Sequence, residues 1–336
     1  MTPGNIVIRG PNWVGDAVLG VPAMKAVRER FPKARITLLV RPWVAGLFSS
    51  APFIDEVWTL SGTKTAGWLQ AARQMRQRQF DVALLLPNSF EAAWSVFLGG
   101  VRERVGYATD HRSWLLNRPV RLPEGKPHQV DYYLHLVHDA FGPGPRPDIA
   151  IHATDGESAA AARLLSENGV DPARGYAVIN AGAAFGSAKR WMEDRFAGVG
   201  DYLSRELGLQ VVLIGSAGEG PIAEAIQSYM QSGSTVLNGQ TDLETLVGIL
   251  GGAAITITND SGPMHMSAAL GVPTVAVFGS TDATVTSPVG PRTRLVRQDV
   301  ECSPCMLREC PIDHRCMTAV TVDDVCRAAR ALVGRP

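Results

Sequence analysis

The sequence has no stretch of about 18 uncharged apolar residues, so we predict no membrane-spanning helix. Its first ten residues also lack the charged start and long apolar core of a secretory signal peptide. There are five cysteines, four of them between residues 302 and 316, which is not the pattern of a disulfide-rich secreted domain. We therefore expect a cytoplasmic protein.

Charge is scarce and balanced over the whole chain, but it is unevenly distributed. The 336 residues include 32 Lys and Arg and 32 Asp and Glu; charged residues make up 19% and hydrophobic residues 46%. This composition is globular, and the length suggests two domains. Residues 1–150 hold 18 basic and 12 acidic residues, whereas residues 151–336 hold 14 and 20. The positive first half suits an anionic partner, although ordinary scatter in composition would also produce it.

Short apolar runs alternate with helical patterns in two series along the chain. The strands predicted for the first series are residues 5–10, 35–40, 55–60 and 80–86. The second series begins with a strand at residues 176–180 and ends with one at 274–278. Continuous apolar strands separated by helices indicate parallel sheets covered on both faces. We predict an α/β protein with two Rossmann-like, doubly wound domains facing a central cleft.

A segment rich in proline and glycine, residues 141–147, separates the two series. Such a segment cannot continue a helix or a central strand. We place the domains at residues 1–151 and 152–320, and we expect a last helix, about residues 321–336, to return to the first domain.

The turn after the first strand, residues 10–16, carries a carboxylate at the start of a helix. Its glycines do not have the spacing of a dinucleotide-binding turn, and no Gly-Lys-Ser/Thr of a P-loop follows. Asp16 is suited either to stabilising the helix N-terminus or to acting as a general base in the cleft.

A second polar turn, residues 258–265, precedes a helix with a proline at its start. The free amides of such a helix start suit a diphosphate, and Ser261 and His265 could add donors. Asp260 would repel phosphate, so its better partner is a sugar hydroxyl. The alternative is a helix start without any ligand.

Two further loops follow strands of the second series. Residues 182–191 combine small residues with Lys189 and Arg190, which could bind a diphosphate or simply be solvated. Residues 215–219 end in Glu219, which could accept ribose hydroxyls or cap its own helix. These loops all lie at strand carboxyl ends, where doubly wound sheets bind ligands.

These motifs together resemble the ADP-heptose:lipopolysaccharide heptosyltransferases, glycosyltransferase family 9, and most of all the type II enzymes. The resemblance runs over nearly the whole chain, from N-W-V-G-D at residues 12–16 to C-S-P-C at 302–305. Its most specific segments are that first one, F-G-S-A-K-R-W at 185–191 and N-D-S-G-P-M-H at 259–265. It implies a GT-B fold with an acceptor domain followed by a donor domain.

The resemblance also implies roles for individual residues. Asp16 would be the base, Lys189 would bind phosphate, Glu219 would bind ribose and Asp260 would contact the heptose. The remaining donor contacts would come from Arg190 and from residues around the diphosphate, namely Ser261, Gly262, Met264 and His265. Adenine would lie near residues 239–244.

The implied reaction transfers L-glycero-D-manno-heptose from ADP-heptose, with inversion, to the heptosyl-Kdo inner core on lipid A. No cofactor or metal is expected, and the chain contains no Asp-x-Asp sequence. The expected partners are this lipid-linked acceptor and, peripherally, the cytoplasmic face of the inner membrane, but no nucleic acid. A type I or III paralogue and a nucleotide-sugar epimerase with a similar architecture remain alternatives.

The roles of two groups of residues are not decided by the sequence. Cys302, Cys305, Cys310 and Cys316 could form a structural zinc site, or they could be free thiols. The acceptor phosphates could meet clustered basic residues of the first half, namely Arg102, Arg104, Arg112, Arg118 and Arg121.

Overall fold

The computed structural model describes residues 2–60 and 64–334 and divides the chain into two compact units, Met1–Ile149 and Ala150–Pro336. Both units are α/β, as predicted. The division falls shortly after the proline-rich segment, in which residues 142–147 form neither helix nor strand. No helix of the described residues is long and apolar enough to span a membrane.

The first unit contains a six-stranded, entirely parallel sheet with the order β3-β2-β1-β4-β5-β6. Its strands are β1 (Asn5–Arg9), β2 (Arg35–Val40), β3 (Glu56–Thr59), β4 (Val82–Leu85), β5 (Glu103–Tyr107) and β6 (Arg118–Val120). Its helices are α1 (Val14–Leu19), α2 (Val21–Arg30), α3 (Pro42–Ala45), α4 (Lys64–Arg78), α5 (Phe90–Leu98) and α6 (Gln129–Phe141).

The second unit also contains a six-stranded, entirely parallel sheet. Its order, β9-β8-β7-β10-β11-β12, corresponds strand by strand to that of the first sheet. Its strands are β7 (Tyr176–Asn180), β8 (Gln210–Leu213), β9 (Thr235–Val236), β10 (Ile255–Asn259), β11 (Thr274–Val277) and β12 (Thr293–Val296). Its helices are α7 (Asp155–Glu167), α8 (Glu193–Leu207), α9 (Gly220–Tyr229), α10 (Leu243–Gly251), α11 (Gly262–Ala269), α12 (Ala283–Thr286), α13 (Arg315–Thr318) and α14 (Val322–Val333).

The central strands carry apolar side chains on both faces because helices cover both faces of each sheet. Every residue of β7 and β10 is buried, and so is every residue of β1 after Asn5. This explains why these strands are mostly apolar in the sequence.

The last helix does not return to the first unit, so that expectation is wrong. Helix α14 packs on α8 and on strands β11 and β12 of the second unit. Val325 and Ala329 are fully buried in the core of that unit, which also contains Phe196 of α8. The apolar face of α14 is therefore used up within the second unit.

Candidate active site

In each sheet the order of the strands reverses between two neighbouring strands. Doubly wound proteins bind their ligands at the carboxyl edge of the sheet, beside this switch point. In the first unit these strands are β1 and β4, and in the second they are β7 and β10. Asp16 follows β1, Lys189 follows β7 and Asp260 follows β10. All three residues thus lie at the expected edges of their own sheets.

In the first unit, Asp16 stands in the first turn of α1 and is half-buried. The residue before this helix, Trp13, is 62% exposed and makes no capping hydrogen bond with its side chain. The turn between β1 and α1 is tight at Gly10, where a Cβ would lie 2.6 Å from Cγ1 of Val40. Glycine is therefore required for the chain to leave the sheet here.

Arg9, the last residue of β1, braces this turn from inside the protein. Its side chain is buried, and its guanidinium donates to the carbonyls of Gly10 and Leu39 and to Oδ1 of Asn12. Burial and the nearby Arg41 charge lower the pKa of Arg9 to about 9, which leaves it protonated at neutral pH. Arg9 therefore fixes the loop that positions Asp16.

A second brace comes from the end of β2. The indole N–H of Trp43 donates to the carbonyl of Asn12 over 2.8 Å, and the guanidinium of Arg41 lies 5.8 Å from the Trp43 ring. Trp43 is 58% exposed. An aromatic surface and a cation thus border the Asp16 loop.

The buried phenol of Tyr133, on α6, lies within the electrostatic reach of Asp16. Burial first, and the Asp16 charge second, raise the pKa of Tyr133 well above its ordinary value. Tyr133 therefore keeps its proton at neutral pH.

Three of the five arginines considered for the acceptor do not belong to this edge. Arg112 is fully buried and donates to the carbonyls of Pro87 and Tyr107, so the expectation that it meets an acceptor is wrong. Arg102 and Arg118 stand at the amino ends of β5 and β6 and line a pocket of about 570 Å³ there. The amino edge of a parallel sheet is opposite to the edge that carries Asp16.

In the second unit, the loops after β7, β10 and β11 meet around one carboxylate. The ammonium of Lys189 lies 2.6 Å from Oδ2 of Asp260, and the hydroxyl of Thr281 donates to the same oxygen over 2.6 Å. The Asp260 side chain is 5% exposed and that of Lys189 is 14% exposed. A cation and an anion thus stand together, both largely buried, at the carboxyl edge of the sheet.

Two asparagines at the strand ends fix these loops. Asn259 accepts from the amide of Trp191 over 3.0 Å and donates to the carbonyl of Ala181 over 2.7 Å, so it holds both ends of the Lys189 loop. Asn180 accepts from the hydroxyl of Ser261 over 2.8 Å. The two strands at the switch point therefore hold each other's loops.

The helix start at α11 matches the sequence prediction for its backbone but not for every side chain. Ser261 precedes α11 without capping it, because its hydroxyl is turned to Asn180, and Pro263 lies in the first turn. Met264 is buried among Ala276, Phe278 and Ala283, so only its backbone can face a ligand. His265 is also buried.

Glu219 lies at the same edge, and its carboxylate is already engaged. Its Oε2 accepts from the amide and the hydroxyl of Ser216, each over 2.8 Å, which is the capping arrangement. Its Oε1 lies so close to Gly182 that a Cβ there would be 2.1 Å away. Gly182 therefore leaves the room in which the Glu219 carboxylate sits.

The segment with four cysteines holds the Lys189 loop from outside. The carbonyl of Arg308 accepts from the amide of Ala188 over 2.9 Å, and Nε2 of His314 lies 3.0 Å from the carbonyl of Ala188. The charges of Lys189 and Arg308 lie 4.9 and 5.4 Å from the ring of Phe185. Within residues 2–60 and 64–334, no three His, Cys, Asp or Glu side chains form a group that could bind a metal ion.

Arg190, which follows Lys189, contributes a second cation to this loop. Its buried Nε has no hydrogen-bond partner among the described residues, and neither does the buried hydroxyl of Ser280, next to Thr281. Buried polar atoms without partners are rare and frequently mark functional sites.

Sequence reasoning missed several residues that build the site. A short polar loop after the apolar strand β11 could have revealed Ser280 and Thr281, because it repeats the pattern of the other three loops. Arg9 at the end of an apolar strand was a similar signal. Arg308 had no signal, since its part in the site depends on how a distant segment folds back.

Comparison with known proteins identifies the family of this chain. The model of glycosyltransferase family 9 (heptosyltransferase) matches residues 68–315. The chain is 30% identical over 309 residues to lipopolysaccharide heptosyltransferase 2 of Escherichia coli K12, with 87% of each protein covered. The structure of E. coli ADP-heptose lps heptosyltransferase II is similar with a TM-score of 0.86 and 27% identity over 98% of both chains.

A glycosyl transferase family 9 protein from Veillonella parvula shares the fold, with a TM-score of 0.87 and 21% identity over 98% of this chain and 97% of that one. The family match covers well over half of the chain and includes Lys189 and Asp260. The chain therefore belongs to glycosyltransferase family 9 and is a glycosyltransferase with the GT-B fold.

Proposed function

We propose that this glycosyltransferase transfers L-glycero-D-manno-heptose from ADP-heptose to the heptosyl-Kdo inner core of lipopolysaccharide. The observation that carries the proposal is the pairing of Lys189 with Asp260 at the switch point of the second sheet, in a chain whose 30% identical relative is a lipopolysaccharide heptosyltransferase 2. A cation for a diphosphate and a carboxylate for a sugar hydroxyl are the two groups that a nucleotide-sugar donor requires.

The donor diphosphate would bind to Lys189, Arg190 and the first amides of α11. The helix start is suited to an anion because Ser261 leaves its amides uncapped and the helix dipole favours negative charge there. Asp260 would accept a heptose hydroxyl, and Oε1 of Glu219 would accept ribose hydroxyls while Oε2 retains its bonds to Ser216. Adenine would lie near residues 239–244.

The acceptor would bind to the first unit, with Asp16 as the general base. As the acceptor oxygen bonds to the anomeric carbon, its proton passes to the Asp16 carboxylate and the bond from that carbon to the diphosphate breaks. ADP leaves with the negative charge, which Lys189 and Arg190 stabilise. A single displacement of this kind inverts the anomeric centre.

Arg41 and Trp43 extend this proposal to the acceptor. Both follow β2 at the carboxyl edge, next to the Asp16 loop, where the guanidinium could bind an acceptor phosphate or carboxylate. Arg121, which follows β6 and is exposed, remains available for the same role.

Two alternatives differ in the acceptor or in the reaction. A type I or III enzyme would use the same donor site with another acceptor. An epimerase would act without any acceptor, and membership of glycosyltransferase family 9 argues against it.

The decisive experiment incubates the protein with ADP-heptose and purified core acceptors that carry either one heptose or none. Mass spectrometry should show one added heptose on the heptosyl-Kdo acceptor. Addition only to the heptose-free acceptor would instead identify a type I enzyme, and conversion of the donor alone would identify an epimerase.

The base is tested by Asp16→Asn, which keeps the size of the side chain but removes its ability to take a proton. We expect kcat to fall by about 10²–10⁴-fold while ADP binding, measured by calorimetry, stays unchanged. Asp131→Asn, an exposed carboxylate of the same unit that pairs with Arg146, is the control and should keep full activity. Activity within a few-fold of wild type for Asp16→Asn would exclude this residue as the base.

The diphosphate contact is tested by Lys189→Ala. We expect weaker ADP binding and a fall of about 10–10²-fold in kcat/KM, because the ammonium meets charge that grows in the transition state. Removing Lys189 also leaves the buried Asp260 carboxylate without its cation, so melting temperature must be measured alongside.

Two further variants interpret the Lys189 result. Lys189→Arg retains the charge and should recover stability, while Arg174→Ala removes an exposed cation from the amino edge of the same unit and should change nothing. Unchanged ADP affinity in a folded Lys189→Ala protein would rule out the phosphate contact.

A further inference from the structure

Helix α5 of the first unit buries mostly small side chains and exposes large aromatic ones. Its buried residues include Ala92, Ala93 and Val96, and Trp94 packs partly against the core, while Phe90 and Phe97 are exposed. A surface helix of a globular protein normally buries its large apolar side chains and exposes polar ones. The outward face of α5 therefore calls for an explanation outside the core of this unit.

Four rings form one continuous surface on this face, which we call the aromatic patch: Phe90, Trp94, Phe97 and Trp114. The three residues of α5 are spaced so that they share one side of the helix. Trp114 comes from the turn Ser113–Leu115, and its ring lies 6.1 to 6.2 Å from each of the other three.

The aromatic patch is exposed to an extent that is unusual for such residues. Trp114 is 64% exposed, Phe97 39% and Phe90 36%. Scattered apolar side chains on a surface need no explanation, but a contiguous group of large rings marks an interaction site.

Cations border the end of the patch at Phe97. The guanidinium of Arg104 lies 5.4 Å from the ring of Phe97, and Nε of Arg76 donates to the carbonyl of Leu98 at the end of α5. Arg73 lies one turn before Arg76 on α4, a helix without acidic residues. Residues 64–126 hold ten Lys and Arg against five Asp and Glu.

The nearby acidic residues do not cancel this charge. Asp110 accepts from the amide of Phe90 over 2.5 Å, at the opposite end of α5, where it compensates the helix start. The charge of Glu91 acts on Arg9, where it partly offsets the lowering of the Arg9 pKa by burial. Neither Asp110 nor Glu91 therefore neutralises the arginines at the Phe97 end of the patch.

We infer that the aromatic patch, with Arg73, Arg76 and Arg104, docks the first unit onto an anionic lipid bilayer. Tryptophan and other aromatic rings favour the boundary between headgroups and acyl chains, and arginines beside them meet lipid phosphates. The charge complementarity favours lipid over a second copy of the chain, which would bring the same arginines together. The inference rests on the proposed function only in that a lipid-anchored acceptor requires the enzyme at a membrane.

The test is co-sedimentation with vesicles made of equal amounts of phosphatidylglycerol and phosphatidylethanolamine, with phosphatidylcholine vesicles for comparison. The wild type should bind the anionic vesicles, and less strongly as salt is raised. The double variant Phe97→Ser, Trp114→Ser should bind the vesicles about tenfold more weakly or worse, because it lacks the apolar area that the two rings would bury in the bilayer. Arg73→Gln with Arg76→Gln should weaken binding and its dependence on salt.

Tyr229→Ser is the matched control, because Tyr229 is an aromatic residue of the second unit with 56% exposure. It should bind vesicles like the wild type. Circular dichroism confirms that each variant is folded. Vesicle binding that is unchanged in the folded Phe97→Ser, Trp114→Ser variant would overturn the inference.

Two further measurements separate this inference from its rivals. With a delipidated, water-soluble acceptor, the aromatic variant should be as active as the wild type, so a failure of the proposed reaction is distinguishable from a failure of docking. A dimer in light scattering that the aromatic substitutions dissociate, without effect on vesicle binding, would make the patch a protein interface and overturn the inference.

Discussion

Arg9 is a single residue on which the geometry of the base depends. A guanidinium presents several donors in a rigid plane, and here they hold two carbonyls and the side chain of Asn12 at once. Lysine would supply the charge but only a point-like set of donors. The buried position excludes water from replacing the lost bonds.

We therefore expect Arg9→Lys to reduce kcat by about 10–10²-fold, because a displaced Asp16 loop misplaces the base. Donor affinity should not change, since Arg9 belongs to the first unit. Steady-state kinetics with ADP calorimetry measure both quantities. Arg35→Lys, an exposed pair with Glu56 at the amino end of β2, is the control. Equal losses in kcat and ADP affinity would point to general unfolding instead.

At this scale, the sequence predicted the residues whose chemistry is local. Lys189 and Asp260 follow apolar strands in polar loops, and the topology brings them within 2.6 Å. The burial of Met264 and Arg112 was not predictable, because both depend on how neighbouring elements pack. Periodicity in the sequence does not encode that packing.

Among the elements, α14 shows how local signals specify a helix but not its partners. Thr321 and Asp324 form a reciprocal cap: Thr321 accepts from the Asp324 amide over 3.2 Å, and its hydroxyl donates to the Asp324 carboxylate over 2.7 Å. This cap can be recognised in the sequence from the threonine followed three residues later by an aspartate. The place of α14 against β11 and β12 is not, since its apolar face would fit either sheet.

Thr321→Ala should lower the free energy of unfolding of the second unit by about 1 kcal/mol, the usual cost of losing a cap. The measurement is denaturant unfolding, with exposed Thr318→Ala as the control.

The same cap predicts a dependence on pH. The hydrogen bond from the Thr321 hydroxyl, then that from its amide, lower the pKa of Asp324 below its ordinary value. The stabilisation is therefore present above a pH of about 4 and lost as pH falls through the lowered pKa. The difference in the free energy of unfolding between wild type and Asp324→Asn should shrink as the pH is lowered below about 4. A difference that stays constant at these pH values would show that the ionised Asp324 does not stabilise the cap.

The strands predicted from the sequence are mostly apolar runs and include the short one at residues 235–237, whereas those missed are short or polar. Strand β6 has three residues with a proline in the middle, and β5 and β12 contain arginine. Such strands form at the sheet edge or near it, where neighbours decide what pairs. The sequence also left α5 and α6 unassigned in the same region.

On the scale of the whole molecule, both units use the same strand order and place their loops at the corresponding edges. Alternation of strands and helices predicted this much, because parallel connections allow few topologies. The charge of the two halves differs, which agrees with the proposed division into an acceptor unit and a donor unit.

Metal removal tests the proposed reaction and the cysteine segment together. If Lys189, Arg190 and helix amides carry the diphosphate charge, dialysis against a strong chelator should leave activity and melting temperature unchanged. A fall in both, with loss of zinc, would point to a structural site at Cys302, Cys305, Cys310 and Cys316. A fall in activity alone, reversed by magnesium, would refute the proposed charge stabilisation.

Under the proposed function, the pairing of Lys189 with Asp260 would make the donor site selective, because the ligand must engage both groups at once. A small anion such as free phosphate gains little from an ammonium that a carboxylate already neutralises. Under the proposed function, the complete donor engages both groups, because its diphosphate takes the cation as a sugar hydroxyl takes the carboxylate. Once the sugar has been transferred, Asp260 loses that hydroxyl and draws Lys189 back. ADP alone would therefore bind less tightly than the complete donor, so the free energy spent on separating the two opposite charges on entry would favour the release of ADP after transfer.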